Sequence, residues 1–409
     1  MADHSAGRRS LLISSVAAGT ALLVPAQIDN APPRMERRGK VGDIGDAVVP
    51  PAIVNLTEFG GTPGAGRIRL IDAFSQAFAA LTKSDGGTLL VPAGVYDFGM
   101  YAEHAYIILC RNLRNVAISA YGATFMATTS ARVTPNMFYF FNFDNITIAG
   151  ASFIDPGFNA STNWQGMYCV GIQADRASSG FRLVDCYAER VVGLLGSNNN
   201  AASRNYLSNV SVQGEVRYSY YGVGVSFIKE NVNVELVCHN VRRALVASSL
   251  KNANIVIFAS SSSNWPGSNG LVSLATSGAS SGNVENVRVQ VDVSGACIHS
   301  AYIHFYHQGH EVAGYMRNID ATVNVIDSDS TGTLFLFDHE IDGVQSTTRR
   351  TWDRISLHGT VSRNFRGCII VNTSVPMSPG VIYLDRHLAQ SRNCKGLGAS
   401  CNTSFVLLK

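Results

Sequence analysis

The chain has 409 residues, 46% of them apolar and only 15% charged, which is enough apolar material for one elongated core. Low charge with 38 glycines and abundant Ser and Asn fits an all-β repeat protein better than a helical one. A net charge of +3 is too small to support nucleic-acid binding, and is compatible with an acidic glycan without demanding one.

Residues 1–26 read as an export signal. Arg8-Arg9-Ser10-Leu11-Leu12 opens an apolar stretch that runs to Val24, and Val24-Pro25-Ala26 suits cleavage. The arginine pair resembles the twin-arginine signal, whose cargo crosses the membrane folded. Gly7 before the pair and Ile13, where Lys is common, depart from it. Ordinary secretion is the alternative. A retained anchor ranks behind both, because the stretch is short for a spanning helix. The expected location is periplasmic or secreted, with no membrane contact after cleavage. Residues 27–52, rich in Pro, Arg and Gly, read as a linker.

The next stretch runs Leu56-Thr57-Glu58-Phe59-Gly60-Gly61, then Ile71-Asp72-Ala73-Phe74-Ser75-Gln76-Ala77-Phe78-Ala79-Ala80-Leu81, then Gly86-Gly87-Thr88-Leu89-Leu90-Val91-Pro92. The middle part has helical periodicity and predicts a short amphipathic helix near Asp72–Leu81. Such a helix would cap the first coil of a solenoid and cover its end strand. The Gly-Gly-Thr turn starts the first strand.

A repeat follows. Asn, an apolar residue, any residue and another apolar residue recur at Asn115, Asn145, Asn209, Asn231, Asn254 and Asn286, with a weaker copy at Asn318. Gly180-Phe181-Arg182-Leu183 and Asp353-Arg354-Ile355-Ser356-Leu357 fill gaps without the Asn. A second apolar run follows each phrase, at Gly193-Leu194-Leu195, Gly222-Val223-Gly224-Val225 and Ala244-Leu245-Val246-Ala247. It returns at Leu271–Leu274, Tyr302–Phe305, Leu334–Phe337 and Cys368–Val371. Alternating apolar residues mean strands, and two phased strands per unit mean a parallel β-helix. The Asn residues are expected in turns or ladders rather than as ligand contacts, because Asn tolerates the left-handed region and bonds locally. The solenoid is expected over residues 53–390, with a C-terminal tail at 391–409. Six cysteines lie singly in strand-like runs. Cys394 and Cys401 are the only candidate disulfide, and no Cys or His spacing resembles a zinc site.

The stretch from Asn55 to Phe98 resembles the N-terminal signature of the pectate-lyase-like superfamily of right-handed parallel β-helix proteins. That superfamily includes polygalacturonase-type hydrolases, polysaccharide lyases, phage tail-spike depolymerases and sugar epimerases. The resemblance implies an all-β right-handed parallel β-helix (solenoid) with a short N-terminal capping helix, and a polysaccharide partner. It does not imply a reaction. The acidic loop common before the capping helix is replaced by Thr62-Pro63-Gly64-Ala65-Gly66-Arg67, and only Asp72 remains. The Asn-Thr-Asp, Asp-Asp, Gly-His-Gly and Arg-Ile-Lys motifs of polygalacturonase-type enzymes are absent. Calcium is possible in the superfamily, but no cluster of oxygen ligands is read here, so no cofactor or metal is expected.

Solenoids hold ligands along a lateral face. The offset of 32 between Asn286 and Asn318 sets Ile303 beside Phe335 and Phe305 beside Phe337, pointing inward. Strand alternation then sends Tyr302, His304 and Tyr306 outward, beside Leu334, Leu336 and Asp338, with Gln308 and Glu340 beyond. Gly222, Gly224, Ser226, Ser273 and Ala275 are expected on the same stripe. The segments His304–Glu311 and Asp338–Asp342 concentrate His and carboxylates. Hydrolysis of a glycosidic bond needs two carboxyl groups, and Asp338 and Glu340 lie ~6.5–7 Å apart on one strand face. That falls at the short end of the ~6.5–9.5 Å range of inverting enzymes. The expected mechanism is inverting hydrolysis, with Asp338 as acid or base and Glu340 as its partner. His304 and Tyr306 would orient substrate, and Tyr302, His307, His339, Tyr221, Arg242 and Arg243 would bind it. Tyr218, Tyr220, Trp164 and Trp265 are further candidates for stacking on sugar. Asp155, Asp175, Asp185, Glu189, Glu215 and Glu230 read as isolated surface or turn acids. The alternatives are β-elimination of a uronic-acid polymer by His304, Tyr306, Arg242 and Arg243, or a non-catalytic glycan-binding protein. Sugar, linkage and oligomeric state are not legible in the sequence.

Overall fold

The computed structural model describes residues 51–102, 104–130, 134–159, 165–197, 206–226, 228–260, 270–276, 282–295, 301–308, 314–326, 332–340, 351–372, 381–390 and 405–408. The signal, most of the linker, Trp164, Trp265, Cys297, Cys394 and Cys401 lie outside these. So do the side chains of His307, Gln308, Asp338, His339 and Glu340, of which only the backbone is described.

Among the described residues all strand pairs are parallel, in a 16-stranded sheet and a 10-stranded sheet. The chain alternates between the two. Leu207–Arg217 lies in the larger sheet and Tyr221–Ser226 in the smaller, then Ile228–His239 and Arg243–Ser248, then Lys251–Ser260 and Val272–Thr276. One strand in each sheet per coil, all in one sense, is a right-handed parallel β-helix. The phased double repeat is its sequence imprint.

The expected register holds. Ile303 pairs with Phe335, Phe305 with Phe337, Tyr306 with Asp338 and Gln308 with Glu340. Phe305 and Phe337 are buried and stack at 4.8 Å, with Trp352 edge-on to Phe337 at 5.1 Å. The capping helix α1 is longer than expected, Arg67–Lys83, and buries Leu70, Ala73, Phe74, Ala77, Phe78 and Leu81. That spacing is one helical stripe, and Phe74 packs edge-on against Phe138 of the coil core at 5.4 Å. Gly86 and Gly87 have φ of 122° and 137°. A Cβ at Gly87 would lie 2.2 Å from the carbonyl oxygen of Ala52, so this turn admits only glycine.

The repeated Asn residues form a ladder at a coil corner. Asn115, Asn145, Asn209, Asn231, Asn252, Asn286 and Asn318 all have φ between 51° and 61°. The Nδ2 of Asn145 donates to Oδ1 of Asn115 at 3.2 Å, Asn231 to Asn209 at 2.8 Å, Asn286 to Asn252 at 3.0 Å and Asn318 to Asn286 at 2.9 Å. Gly180 and Arg354 take the same conformation in coils that lack the Asn. One coil differs from expectation: the ladder residue is Asn252, not Asn254, because Val232 pairs with Ala253 and Asn233 with Asn254. Cys110, Cys169, Cys186 and Cys238 are buried free thiols, and burial pushes their ionisation up, for Cys186 to about 12.

Candidate functional site

The ten-stranded sheet brings most of the expected site residues onto neighbouring strands. Gly224, Val246, Ser273, His304 and Leu336 form one outward row, and Ser226, Ser248, Ala275, Tyr306 and Asp338 pair in the next. His304 stacks on Tyr306 with ring centroids 4.8 Å apart and planes 17° from parallel.

Two expectations for this face need correction. Tyr302 does not face a groove. It is 0% exposed and belongs to the coil core. Cys169, Leu194, Ala244, Leu271, Leu334 and Ile369 hold the same place in their own strands and are buried too. This place is the coil corner, where two successive residues turn inward and strict alternation fails. Gly222 shares it: a Cβ there would lie 2.7 Å from Leu236 in the core. The second correction is that the stripe is enclosed at its middle. His304 is 3% exposed and Ser273 is fully buried, so His304 is a packed support for Tyr306 rather than an open binding group.

Two to five coils before His304 the same sheet carries an aromatic and arginine cluster outside the main core. Val192, Tyr220 and Tyr221 form its buried centre, with Phe158, Tyr168 and Val246 against it. Tyr220 and Tyr221 meet edge to face at 4.6 Å. Tyr168 lies beside Gly193 and Gly196, where any Cβ would fall within about 3 Å of its ring. Burial pushes the hydroxyls of Tyr168 and Tyr221 upward, and the charges of Arg243 and Arg242 only partly offset this at Tyr221, so both stay protonated at neutral pH.

The two arginines differ. Arg242 lies over the Tyr220 ring at 4.4 Å and donates from Nη1 to its hydroxyl. Arg243 is half-buried, makes no such ring contact, and no described carboxylate pairs with it; a buried Nε that meets no hydrogen-bond partner is common to both arginines. One coil on, the buried hydroxyl of Ser273 also lacks a partner. Such groups cost ~1–3 kcal/mol each when left unsatisfied, which an incoming anionic or hydroxylated ligand would relieve.

The isolated acids are placed as follows. Asp155 is fully buried rather than superficial, and accepts from the Thr129 amide at 3.2 Å, the Thr129 hydroxyl at 2.6 Å and the Gly157 amide at 2.8 Å. Asp175 and Asn142 exchange two bonds at a corner, at 2.7 and 3.0 Å. Glu189 and Glu215 are not isolated. They lie on the outer face of the sixteen-stranded sheet in a network that sequence reasoning missed. Tyr187 donates to Glu189 at 2.6 Å, and Arg217 pairs with Glu215. His239 Nε2 lies 3.5 Å from Glu215, and its Nδ1 lies 2.6 Å from the Ser260 hydroxyl. Beside it is a hollow of about 180 Å³. The pairs Tyr187–Glu189 and Glu215–Arg217 lie two apart on single strands, but only coil register brings His239 and Ser260 to them, so no local motif could have revealed the network. Among the described residues no group of three His, Cys, Asp or Glu could hold a metal ion.

No protein-family model matches the chain, and no curated protein does. Solved structures do. A tailspike protein of Escherichia coli bacteriophage HK620, in complex with a pentasaccharide, superposes with a TM-score of 0.53 at 14% identity, over 81% of this chain and 62% of that one. The chain thus spans less than two thirds of the tailspike's length. The endo-xylogalacturonan hydrolase of Aspergillus tubingensis gives 0.49 at 11% identity, over 87% and 99% of the two chains. An exopolygalacturonase of Thermotoga maritima gives 0.34 at 14%, over 71% and 88%. At such identities the likeness concerns the fold. The chain has a right-handed parallel β-helix fold, as its phased repeat predicted.

Proposed function

We propose that this protein binds and cleaves an acidic polysaccharide lying across the coils on the outer face of the ten-stranded sheet. The observation that carries this reading is Arg243, a half-buried cation without a carboxylate, set beside the protonated Tyr221. A planar guanidinium suits a sugar carboxylate, which it can hold through two parallel hydrogen bonds. The fold is one that, in the phage tailspike, accompanies a bound pentasaccharide.

Cleavage is assigned to hydrolysis. Asp338 and Glu340 lie three coils beyond Arg243, roughly 14 Å along the axis at ~4.8 Å per coil. Asp338 would act as acid or base with Glu340 as its partner, at the separation of an inverting pair. Tyr306, paired with Asp338 and backed by His304, would orient the sugar. β-Elimination is the weaker reading, because His304, which would take the proton from C5, is packed at 3% exposure behind Tyr306. The signal at residues 1–26 would deliver the protein to the periplasm or beyond.

The test is a panel of uronate-containing polysaccharides. Hydrolysis yields new reducing ends without ultraviolet absorbance, and Asp338→Asn should lower that yield by ~10²–10⁴-fold while leaving folding intact. Unsaturated, absorbing ends would replace this assignment with a lyase. No product from any polymer would leave a binding protein.

A further inference from the structure

We infer that Ser260, His239 and Glu215 form a hydrolytic relay that removes short acyl esters from an O-acylated polysaccharide. The relay lies on the sixteen-stranded sheet and is independent of the cleavage site proposed above. It is assembled by coil register: Arg217 pairs with His239 and His239 with Ser260, while Glu215 starts one residue pair earlier, beside Val237. The Ser260 hydroxyl is 2.6 Å from His239 Nδ1, and Nε2 on the other side of the ring is 3.5 Å from Oε1 of Glu215. This is the order nucleophile, base, carboxylate that activates a serine. The longer second contact is of the kind that tightens when substrate arrives. Arg217 holds Glu215 in place, and its own guanidinium lies 5.9 Å from the Tyr187 ring centroid.

A receptor for the acyl group adjoins the serine. The hollow of about 180 Å³ is lined by Val237, Phe258, Ala259, Val293 and Ile326, with His239 and Ser260 on its wall. Phe258 is 41% exposed, an unusual posture for a large apolar ring on a strand. An apolar hollow of this size takes an acetyl group, not a sugar chain. Asp292 and Ser294 supply polar groups at its rim, and Ser294 pairs with Ser260 on the next coil, where its hydroxyl can donate to an oxyanion.

The chemistry balances with water as the only co-reactant. Ser260 Oγ attacks the ester carbonyl carbon while its proton passes to His239 Nδ1. The bond from that carbon to the sugar oxygen breaks, and His239 returns the proton to the departing sugar hydroxyl. Water then attacks the acyl-serine, giving its proton to His239. Ser260 takes that proton back as acetate leaves. This cycle requires the tautomer in which Nε2 carries hydrogen, which the Glu215 carboxylate favours.

The experiment uses the full-length protein with p-nitrophenyl acetate and acetylated xylan as probes, read as acetate release, and a fluorophosphonate label located by peptide mass spectrometry. The expected label is on Ser260. Ser260→Ala and His239→Gln should each lose at least ~10²-fold in acetate release. Glu215 acts through His239, so Glu215→Gln should lower kcat about tenfold with KM unchanged, which a loss of hollow shape would not do. Retained circular dichroism in Ser260→Ala confirms that the loss is chemical. The inference fails if wild-type protein releases no acetate above buffer. It fails equally if Ser260→Ala releases acetate, or takes the label, as wild type does.

Discussion

Arg242 and Arg243 are neighbours in sequence and opposite in role. Nothing in the dipeptide separates them, since both precede the same strand. The separation comes from the coil before, which sets the Tyr220 ring under the Arg242 guanidinium and leaves Arg243 off that ring, beside Tyr221. Arg242→Ala should therefore lower stability by ~1–2 kcal/mol, the worth of a partly desolvated cation over a ring, read as a shift in denaturation midpoint. Arg243→Ala should leave that midpoint unchanged or raised, because it removes an unsatisfied buried donor. Asp155 shows the same limit of sequence reading. Its partner Thr129 lies one coil back, so the acid looked solitary. Burial raises its pKa, opposed by the Thr129 and Gly157 donors. A raised carboxyl contributes stability that is full below the unfolded value of ~3.9 and is lost as pH rises through the folded one. Glu285 works in the opposite sense. Burial pushes its carboxyl up, but the hydrogen bonds and charge of Arg317 outweigh this and hold it low. Its contribution is present above ~4.3 and is lost as pH falls through the folded value. Stability measured against pH should accordingly lose its neutral-side decline in Asp155→Asn and part of its acid-side decline in Glu285→Gln.

At the scale of the coil, most of the architecture was legible because two signals agree. Alternation marks the strands, and an Asn that must adopt positive φ marks the corner before them. The reading failed where each signal has a local exception. Asn252-Ala253-Asn254 offers the phrase twice, two residues apart, and only pairing with the next coil chooses between them. Tyr302 sits where the strand bends, so the residue expected outside is inside. The register that sets Tyr306 beside Asp338 and Gln308 beside Glu340 was legible, and the structure reproduces it along the strand pair. The ladder itself can be tested. Asn286 has φ of 55° and bonds to Asn252 and Asn318. Asn286→Val should cost ~1–2 kcal/mol for the left-handed conformation alone, plus ~1 kcal/mol for the ladder bonds. Asn286→Gly should cost less, because glycine accepts the conformation. Chemical denaturation of the pair ranks them, and equal costs would mean that the ladder bonds, not the backbone, set the requirement.

Across the molecule each coil supports its neighbours, and stability is carried by stacked interior rows. Phe337 stands on Phe305 and meets Trp352 in the next coil, so Phe337→Ala should cost ~3–5 kcal/mol, measured by denaturant unfolding. The outer faces are free of that duty, which is why function can occupy them. The sequence pointed to the ten-stranded face as the place for a ligand, but could not show that its middle is enclosed or that Arg242 is taken up by a ring while Arg243 is not. The most direct measurement is calorimetric binding of a uronic-acid oligosaccharide to wild type, Arg243→Ala and Arg242→Lys. A ligand on this face, held through its carboxylate, requires that Arg243→Ala weaken binding by ~10-fold or more, the worth of a charged hydrogen bond, with a neutral oligosaccharide of the same length indifferent to the change. Equal affinity of wild type and Arg243→Ala for the uronate would contradict the placement of the polysaccharide on the ten-stranded sheet.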